Sequence, residues 1–306
     1  MLILIYKYGG RLGNRLFAFS HIIAFSRSFN IKVRYPAFDE YAKYFKGTAE
    51  NLVCQYPEKR NSFTHKKLRF LFYVLNKLFV KPLRMTKFHS SPFHKVVYAD
   101  TPEFSFTETR SFDMNDAAFV NLVRSGPLTF LIGRFFRDYK HLAVHQDAVR
   151  EFFTPVESIQ MKINEHFSSH VKDADIVIGV HRRGEDYREF VDGKYYFTQE
   201  QYHNKLTEIK HLFPDKSVCF IICSNDEVDL NVYVSVKAVK GPGSPIEDLY
   251  TLAKCDFIIA APSTYSQWAA FYGNKPLCQL WTIDKTITLE SFKTLPPEKL
   301  YNFSFN

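Results

Sequence analysis

The sequence predicts an α/β protein whose second half is a parallel sheet covered by helices on both faces. Three observations carry this. From about residue 170 onward, short apolar runs alternate with helical patterns. The runs are continuously apolar, as strands buried on both faces must be, instead of alternating in and out. Each run then ends abruptly in a polar cluster.

Taken in order, Leu2–Tyr6 reads as a buried strand, followed by a glycine turn at Gly9, Gly10 and Gly13. A helix follows with Leu12, Leu16, Phe19 and Ile23 on one face, then a strand at Ile31–Arg34. Between residues 36 and 165 the pattern is mixed, with strand-like pieces at Lys95–Ala99 and Leu128–Ile132. Beyond it come a strand at Ile176–Val180, a helix over Thr198–Leu212, and a strand at Val218–Cys223. Ser244-Pro-Ile-Glu247 then marks a helix start: Ser as cap, Pro at the first position, Glu three residues after the cap. That helix runs to about Lys254 and leads to a strand at Phe257–Ala260, a helix at Ser263–Tyr272 and a strand at Leu277–Trp281.

Composition sets the class. The chain has 306 residues, 46% apolar and 24% charged, enough for a real core and for two domains or one large one. Aromatic content is high at 17%, with 31 Phe and 18 Tyr. The start, MLILIYKY, lacks the basic region and the apolar length of a signal peptide, and no window has the length of a membrane helix. Cys54, Cys219, Cys223, Cys255 and Cys278 form an odd set without a CxxC pair. A reducing cytosol and no disulfide framework are the expectation.

The net charge of +8 is local. Residues Lys59 to Lys87 hold nine of the 40 basic residues and no acid; the other 31 face 32 acidic ones. Within 65-HKKLRFLFYVLNKLFVKPLRMTK-87, apolar residues recur at helical spacing among Lys and Arg. Such a segment fits an amphipathic helix over the core or an interfacial helix on an anionic membrane. No basic stripe or motif elsewhere supports nucleic acid.

The polar clusters carry the chemistry. After IVIGV comes His181-Arg182-Arg183-Gly184-Glu185-Asp186-Tyr187; after CFIIC comes Ser224-Asn225-Asp226-Glu227; after FIIAA comes Pro262-Ser263-Thr264-Tyr265-Ser266. A doubly wound sheet brings such loops to one edge, where ligands bind. Ser263, Thr264 and Ser266 at a helix start favour an anion, and Arg182 and Arg183 offer forks for phosphate. Ser224 and Asp226 can bond a ribose or a base edge. Each cluster alone also reads as an ordinary cap, turn or ion pair; together they describe a nucleotide-diphosphate pocket. The Gly10–Gly13 turn allows close backbone approach but matches neither a dinucleotide fingerprint nor a P-loop. His141 and His145 lack partners for a zinc site, and no G-x-S-x-G elbow occurs.

These stretches resemble the α-1,2-fucosyltransferase family, glycosyltransferase family 11, and its bacterial relatives. Gly10-Arg-Leu-Gly-Asn14-Arg-Leu-Phe17 resembles the family's G-x-x-G-N-Q-x-F, with Arg15 in place of Gln. His181 to Tyr187 resembles H-x-R-R-x-D-Y; His181, Arg183, Asp186 and Tyr187 match, and Gly184 stands where a second Arg is expected. Ser224-Asn225-Asp226 resembles S-D-D, and Glu247 to Ala270 resembles D-L-x-L-M…C-x-x-x-I-x-x-x-S-T-F-S-x-W-x-A. The resemblance implies a GT-B-like α/β architecture, two Rossmann-like domains facing a cleft. Residues 1–168 would be the acceptor-side domain and 169–306 the nucleotide-sugar domain, with the chain's end packing back on the first. It implies inverting, metal-independent transfer of fucose from GDP-fucose to a sugar hydroxyl, α-1,2 to galactose, in surface-glycan or O-antigen synthesis. Arg183, Asp186, Glu185 and His181 are the catalytic candidates. Gly10, Gly13, Asn14, Arg182, Tyr187, Ser224, Asp226, Ser263, Thr264 and Ser266 are the donor-binding ones. No cofactor or metal is expected. The expected partners are the donor, a glycan or lipid-linked acceptor, and a cytoplasmic membrane face met through residues 65–87. Another nucleotide-sugar transferase and a non-catalytic nucleotide or glycan binder are the alternatives.

Overall fold

A computed structural model describes residues 1–5, 10–51, 53–58, 74, 78, 90–99, 111–133 and 135–300. The chain divides into two compact units, the first ending at Val156 and the second starting at Glu157. The expected boundary at 168/169 falls inside a helix, Glu157–His170, that packs on the second unit's Pro245–Lys254 helix. Lys162 pairs with Glu247 at 2.9 Å, and Lys254 donates to Asn164 at 2.7 Å. These contacts tie the whole helix to the second unit.

The second unit is a five-stranded, all-parallel sheet. Its strands are β8 (Ile176–Arg182), β9 (Val218–Ser224), β10 (Lys237–Lys240), β11 (Phe257–Ala260) and β12 (Leu277–Gln279), in the spatial order β10-β9-β8-β11-β12. The first strand lies mid-sheet, and the chain winds outward to one side and then to the other. The switch point therefore falls between β8 and β11, where doubly wound sheets bind ligands beyond the strands' carboxyl ends. Nearly every residue of β8, β9 and β11 is buried, which is why the strands read as unbroken apolar runs. Three helix starts follow the expected chemistry. Thr198 closes a capping box with Gln201, Ser244 caps Pro245–Lys254, and Ser263 caps Thr264–Gly273. The edge strand β10 went unread in the sequence, because it is short and flanked by lysines, as edges commonly are.

The first unit also has a five-stranded sheet, ordered β3-β2-β1-β6-β4. Here β1 is Leu2–Ile5, β2 Val33–Arg34, β3 Gln55–Tyr56, β4 Lys95–Ala99 and β6 Thr129–Gly133; β3 alone runs antiparallel. A parallel pair, β5 (Phe112–Asp113) and β7 (Phe136–Arg137), stands apart. The helix Leu12–Phe29 is buried nearly all round, from Leu12 to Ser26, so it is a central helix and not a one-faced cover. Its Phe19 meets Tyr35, Phe38, Phe152 and Phe153 at centroid distances of 5.3 to 5.6 Å, mostly edge to face. Much of the aromatic excess is this core.

Apart from Val74 and Leu78, the basic segment 65–87 lies outside the described residues, as do the last six residues. Among the described residues, no helix is long and apolar enough to cross a membrane. All five cysteines are buried free thiols.

Candidate active site at the switch point

The two adjacent arginines that leave β8 part company. Arg182 is 3% exposed, at the strand's last position. Its Nη1 donates to Ser224 Oγ at 3.0 Å, and its Nη2 pairs with Asp226 at 3.3 Å. Ser224 Oγ also accepts the backbone N–H of Asp226 at 3.1 Å. Arg182, Ser224 and Asp226 thus form one buried clasp joining the ends of β8 and β9.

Arg183 stays nearer the surface. Its Nη2 is paired with Asp186, and its guanidinium lies 4.6 Å over the Tyr187 ring. Its Nε–H is buried with no acceptor among the described residues. Asp186 also accepts from Asn225 at 3.1 Å, so the arginine is held from behind. Tyr187 is buried and donates to the carbonyl of Pro262 at 2.6 Å, tying the short helix Glu185–Glu189 to the loop after β11. Burial pushes its hydroxyl pKa up, so it remains a donor.

Gly184 sits between the two loops. Its N–H donates to Asn225 Oδ1 at 3.0 Å. A Cβ here would stand 1.7 Å from Asp226 Oδ2, so no side chain fits while the clasp is closed. The position where the family pattern expects a second arginine is filled by the Asp226 carboxylate, and the second guanidinium stands two positions earlier in the sequence, at Arg182.

His181 is 5% exposed and its ring lies 4.6 Å from that of Tyr265. Burial, then the charge of Arg183, holds its pKa well below the usual value, so it is neutral. Its Nδ1 has no partner among the described residues. Ser263 Oγ accepts the N–H of Tyr265 at 3.2 Å, and Thr264 is half-buried in the first turn. Ser266 is fully buried, its hydroxyl donating to the Ser263 carbonyl at 3.0 Å, so it shapes the helix start from inside. The side chain of Glu185 lies outside what the structure describes.

The sequence reading passed over Asp248. It is 6% exposed, beneath the turn that follows β10, and accepts the N–H of Gly243 at 2.8 Å. Burial raises its pKa to about 6, the neighbouring Glu247 adds to this, and the Gly243 bond opposes it. The motif Glu247-Asp-Leu-Tyr contained the residue, but only folding places it below the turn at Gly241–Gly243.

In the first unit, Gly10 and Gly13 flank the start of the Leu12–Phe29 helix, and Asn14 is half-buried in its first turn. Arg15, which replaces the family's Gln, is a brace: it donates to the carbonyls of Gly10 and Ala37, each at 2.9 Å, and pairs with Glu40 at 3.1 Å. Gly9 lies outside the described residues. His141 and His145 do not share a site: His141 bonds Asp138 at 2.8 Å and His145 bonds Ser28 at 2.9 Å. Among the described residues, no group of His, Cys, Asp and Glu is arranged to hold a metal.

The fold is a doubly wound α/β sheet with cationic and capping groups gathered at its switch point, the edge where sheets of this class bind ligands. The comparisons narrow this class. The model of glycosyl transferase family 11 matches residues 105–294, more than half of the chain, and the chain belongs to this family of glycosyltransferases. No curated protein matches it. Among solved structures it is similar to a GDP complex of an FUT1 mutant of Arabidopsis thaliana, with 11% identity over 91% of this chain and 70% of that one, at a TM-score of 0.57. It is similar to POFUT1 in complex with GDP, with 12% identity over 90% and 97%, at 0.53. It is also similar to the fucosyltransferase NodZ from Bradyrhizobium, with 11% identity over 91% and 95%, at 0.51. At these identities the likeness is one of fold, the GT-B type.

Proposed function

We propose that this glycosyltransferase moves fucose from GDP-fucose to a sugar hydroxyl, α-1,2 to galactose, in the synthesis of a surface glycan such as an O-antigen. The observation that carries the reading is the posture of Arg183: fixed by Asp186, laid over Tyr187, with a buried Nε–H still to be accepted. Three fold neighbours, two with GDP bound and one a fucosyltransferase, support the donor class.

In this reading Arg183 and the helix start at Ser263 and Thr264 hold the diphosphate and stabilise the negative charge that grows as GDP departs. The transfer inverts the anomeric centre and uses no metal. Asp186 orients Arg183 and does not serve as base, and neutral His181, with its depressed pKa, is a weak one. Glu185 is the carboxylate we assign to deprotonating the acceptor hydroxyl. A peripheral membrane contact through residues 65–87 brings the enzyme to a lipid-linked acceptor at the cytoplasmic face. Gly184 does not favour a non-catalytic binder, because the space a side chain would need is occupied by Asp226.

Thermal shift with GDP, UDP and ADP tests the donor reading, followed by GDP release from GDP-fucose with a panel of galactosides. GDP is expected to raise the Tm most. No response to any nucleotide overturns the reading.

A further inference from the structure

The segment that follows β8 carries a row of aromatic rings away from Arg183. The Arg183 guanidinium lies 4.6 Å over the Tyr187 ring, and Tyr187 packs 5.1 Å from Phe190. The chain then reverses through Val191, Asp192 and Gly193, all left-handed, at φ of 52°, 53° and 73°. A β-branched residue is costly in that region, so the surrounding packing has to hold the turn. Beyond the reversal Tyr195 is 3% exposed. Burial does most to raise the pKa of Tyr187, and Tyr195 is near enough to add to it. Tyr195 in turn meets the Trp281 ring edge to face at 5.8 Å.

Trp281 stands at the carboxyl edge of the same sheet. The N–H of Leu280 still donates to the Ala260 carbonyl at 2.8 Å, and the N–H of Trp281 donates to the Gln279 carbonyl at 3.1 Å, so the chain turns as soon as the sheet ends. Further on, Lys205 Nζ donates to the Lys285 carbonyl at 2.9 Å and pins the far side of the loop. Of the chain's two tryptophans, Trp268 is fully buried and Trp281 is half-buried. An indole held from behind by a buried tyrosine, at the edge where such sheets meet their ligands, is a platform for an apolar sugar face.

We propose that Trp281 stacks on the acceptor sugar, a galactopyranoside, and that Tyr195 behind it fixes the ring for this contact. The hydrogens on C3, C4 and C5 of galactose lie on one face of the sugar. They make an apolar, slightly positive patch that suits the negative face of an aromatic ring. In glucose the C4 hydrogen lies on the opposite face, and the patch is broken. The inference rests on the galactoside-acceptor reading above.

Tryptophan emission of the intact protein with GDP present, titrated with methyl β-galactopyranoside and methyl β-glucopyranoside, tests this. The galactoside is expected to change the emission, and the glucoside to need a roughly tenfold higher concentration, the scale of one aromatic contact. In Trp281→Phe the change should vanish, because only buried Trp268 is left to emit. No change in the unsubstituted protein, the same response to both sugars, or a change that persists in Trp281→Phe each overturns the inference. In GDP release, Trp281→Ala is expected to raise the KM for the galactoside roughly tenfold with the KM for GDP-fucose unchanged, and Trp281→Phe to restore most of the loss. An unchanged galactoside KM, or an equal rise in both KM values, also overturns it. Transfer to galactosides without an emission change sinks only this inference; an emission change without transfer to any galactoside leaves the sugar platform standing and sinks only the transfer reading.

Discussion

Each unit builds a five-stranded sheet with its first strand placed mid-sheet, yet the two hold their centres by different means. In the first, aromatic rings from a buried helix and flanking segments interlock around Phe19. In the second, aliphatic strands form the core and a polar clasp, Arg182 with Ser224 and Asp226, ties two strand ends together. The comparison teaches that the second unit's site is part of its architecture. Its loops are fixed by buried charge before any ligand arrives, whereas the first unit's core is non-directional packing.

Single substitutions break the two centres in different ways. Phe19→Ala leaves a cavity and should cost about 3–5 kcal/mol, with little dependence on pH. Arg182→Ala should cost a similar amount, about 3–5 kcal/mol, because Asp226 is left buried without its partner. The double variant Arg182→Met/Asp226→Leu separates the mechanisms: it should recover a large part of that loss in urea unfolding, while no second change at a distance repairs Phe19→Ala. If the double variant is as unstable as Arg182→Ala, the clasp is not what holds the loops.

Asp248 sharpens the contrast through pH. Its folded pKa, about 6, lies above the ordinary carboxylate value of 3.8, so between these the folded state binds more protons than the unfolded. Stability therefore falls as pH rises from 4 to 6, by at most about 3 kcal/mol, and stays reduced above that. Asp248→Asn should flatten this limb of the stability profile. An unchanged limb would place the titration elsewhere.

Gly184→Ala should cost about 1–3 kcal/mol, since the methyl must push Asp226 aside or move the loop. GDP affinity should fall with it, because the displaced loop carries Asn225, which steadies Asp186 behind Arg183. A stable variant with unaltered GDP binding would show that the loop is looser than drawn.

Legibility in the sequence follows the same division. The second unit could be read because its strands are unbroken apolar runs and its helices carry cap residues: Phe257–Ala260 stands where expected and Ser244 caps as the motif implies. The first unit resisted because strands such as Gln55–Tyr56 are two residues long and its aromatics contact across separate segments without a period. At the site, the sequence pointed to the three strand-end loops and to Arg183. It could not reveal that Arg182 turns inward or that Ser266 is internal. Nor could it show that Gly184 must be glycine, since the contact is with a carboxylate from a different strand-end loop. Asp248 was hidden for the same reason, its raised pKa coming from burial that only the fold creates.

The central claim, that Arg183 at the switch point serves the departing diphosphate, is tested most directly by single-turnover GDP release from GDP-fucose in Arg183→Ala. The account predicts a rate lower by about 100-fold or more, the scale of removing one preorganised charge donor, with an unchanged Tm. Full activity in that variant would contradict it.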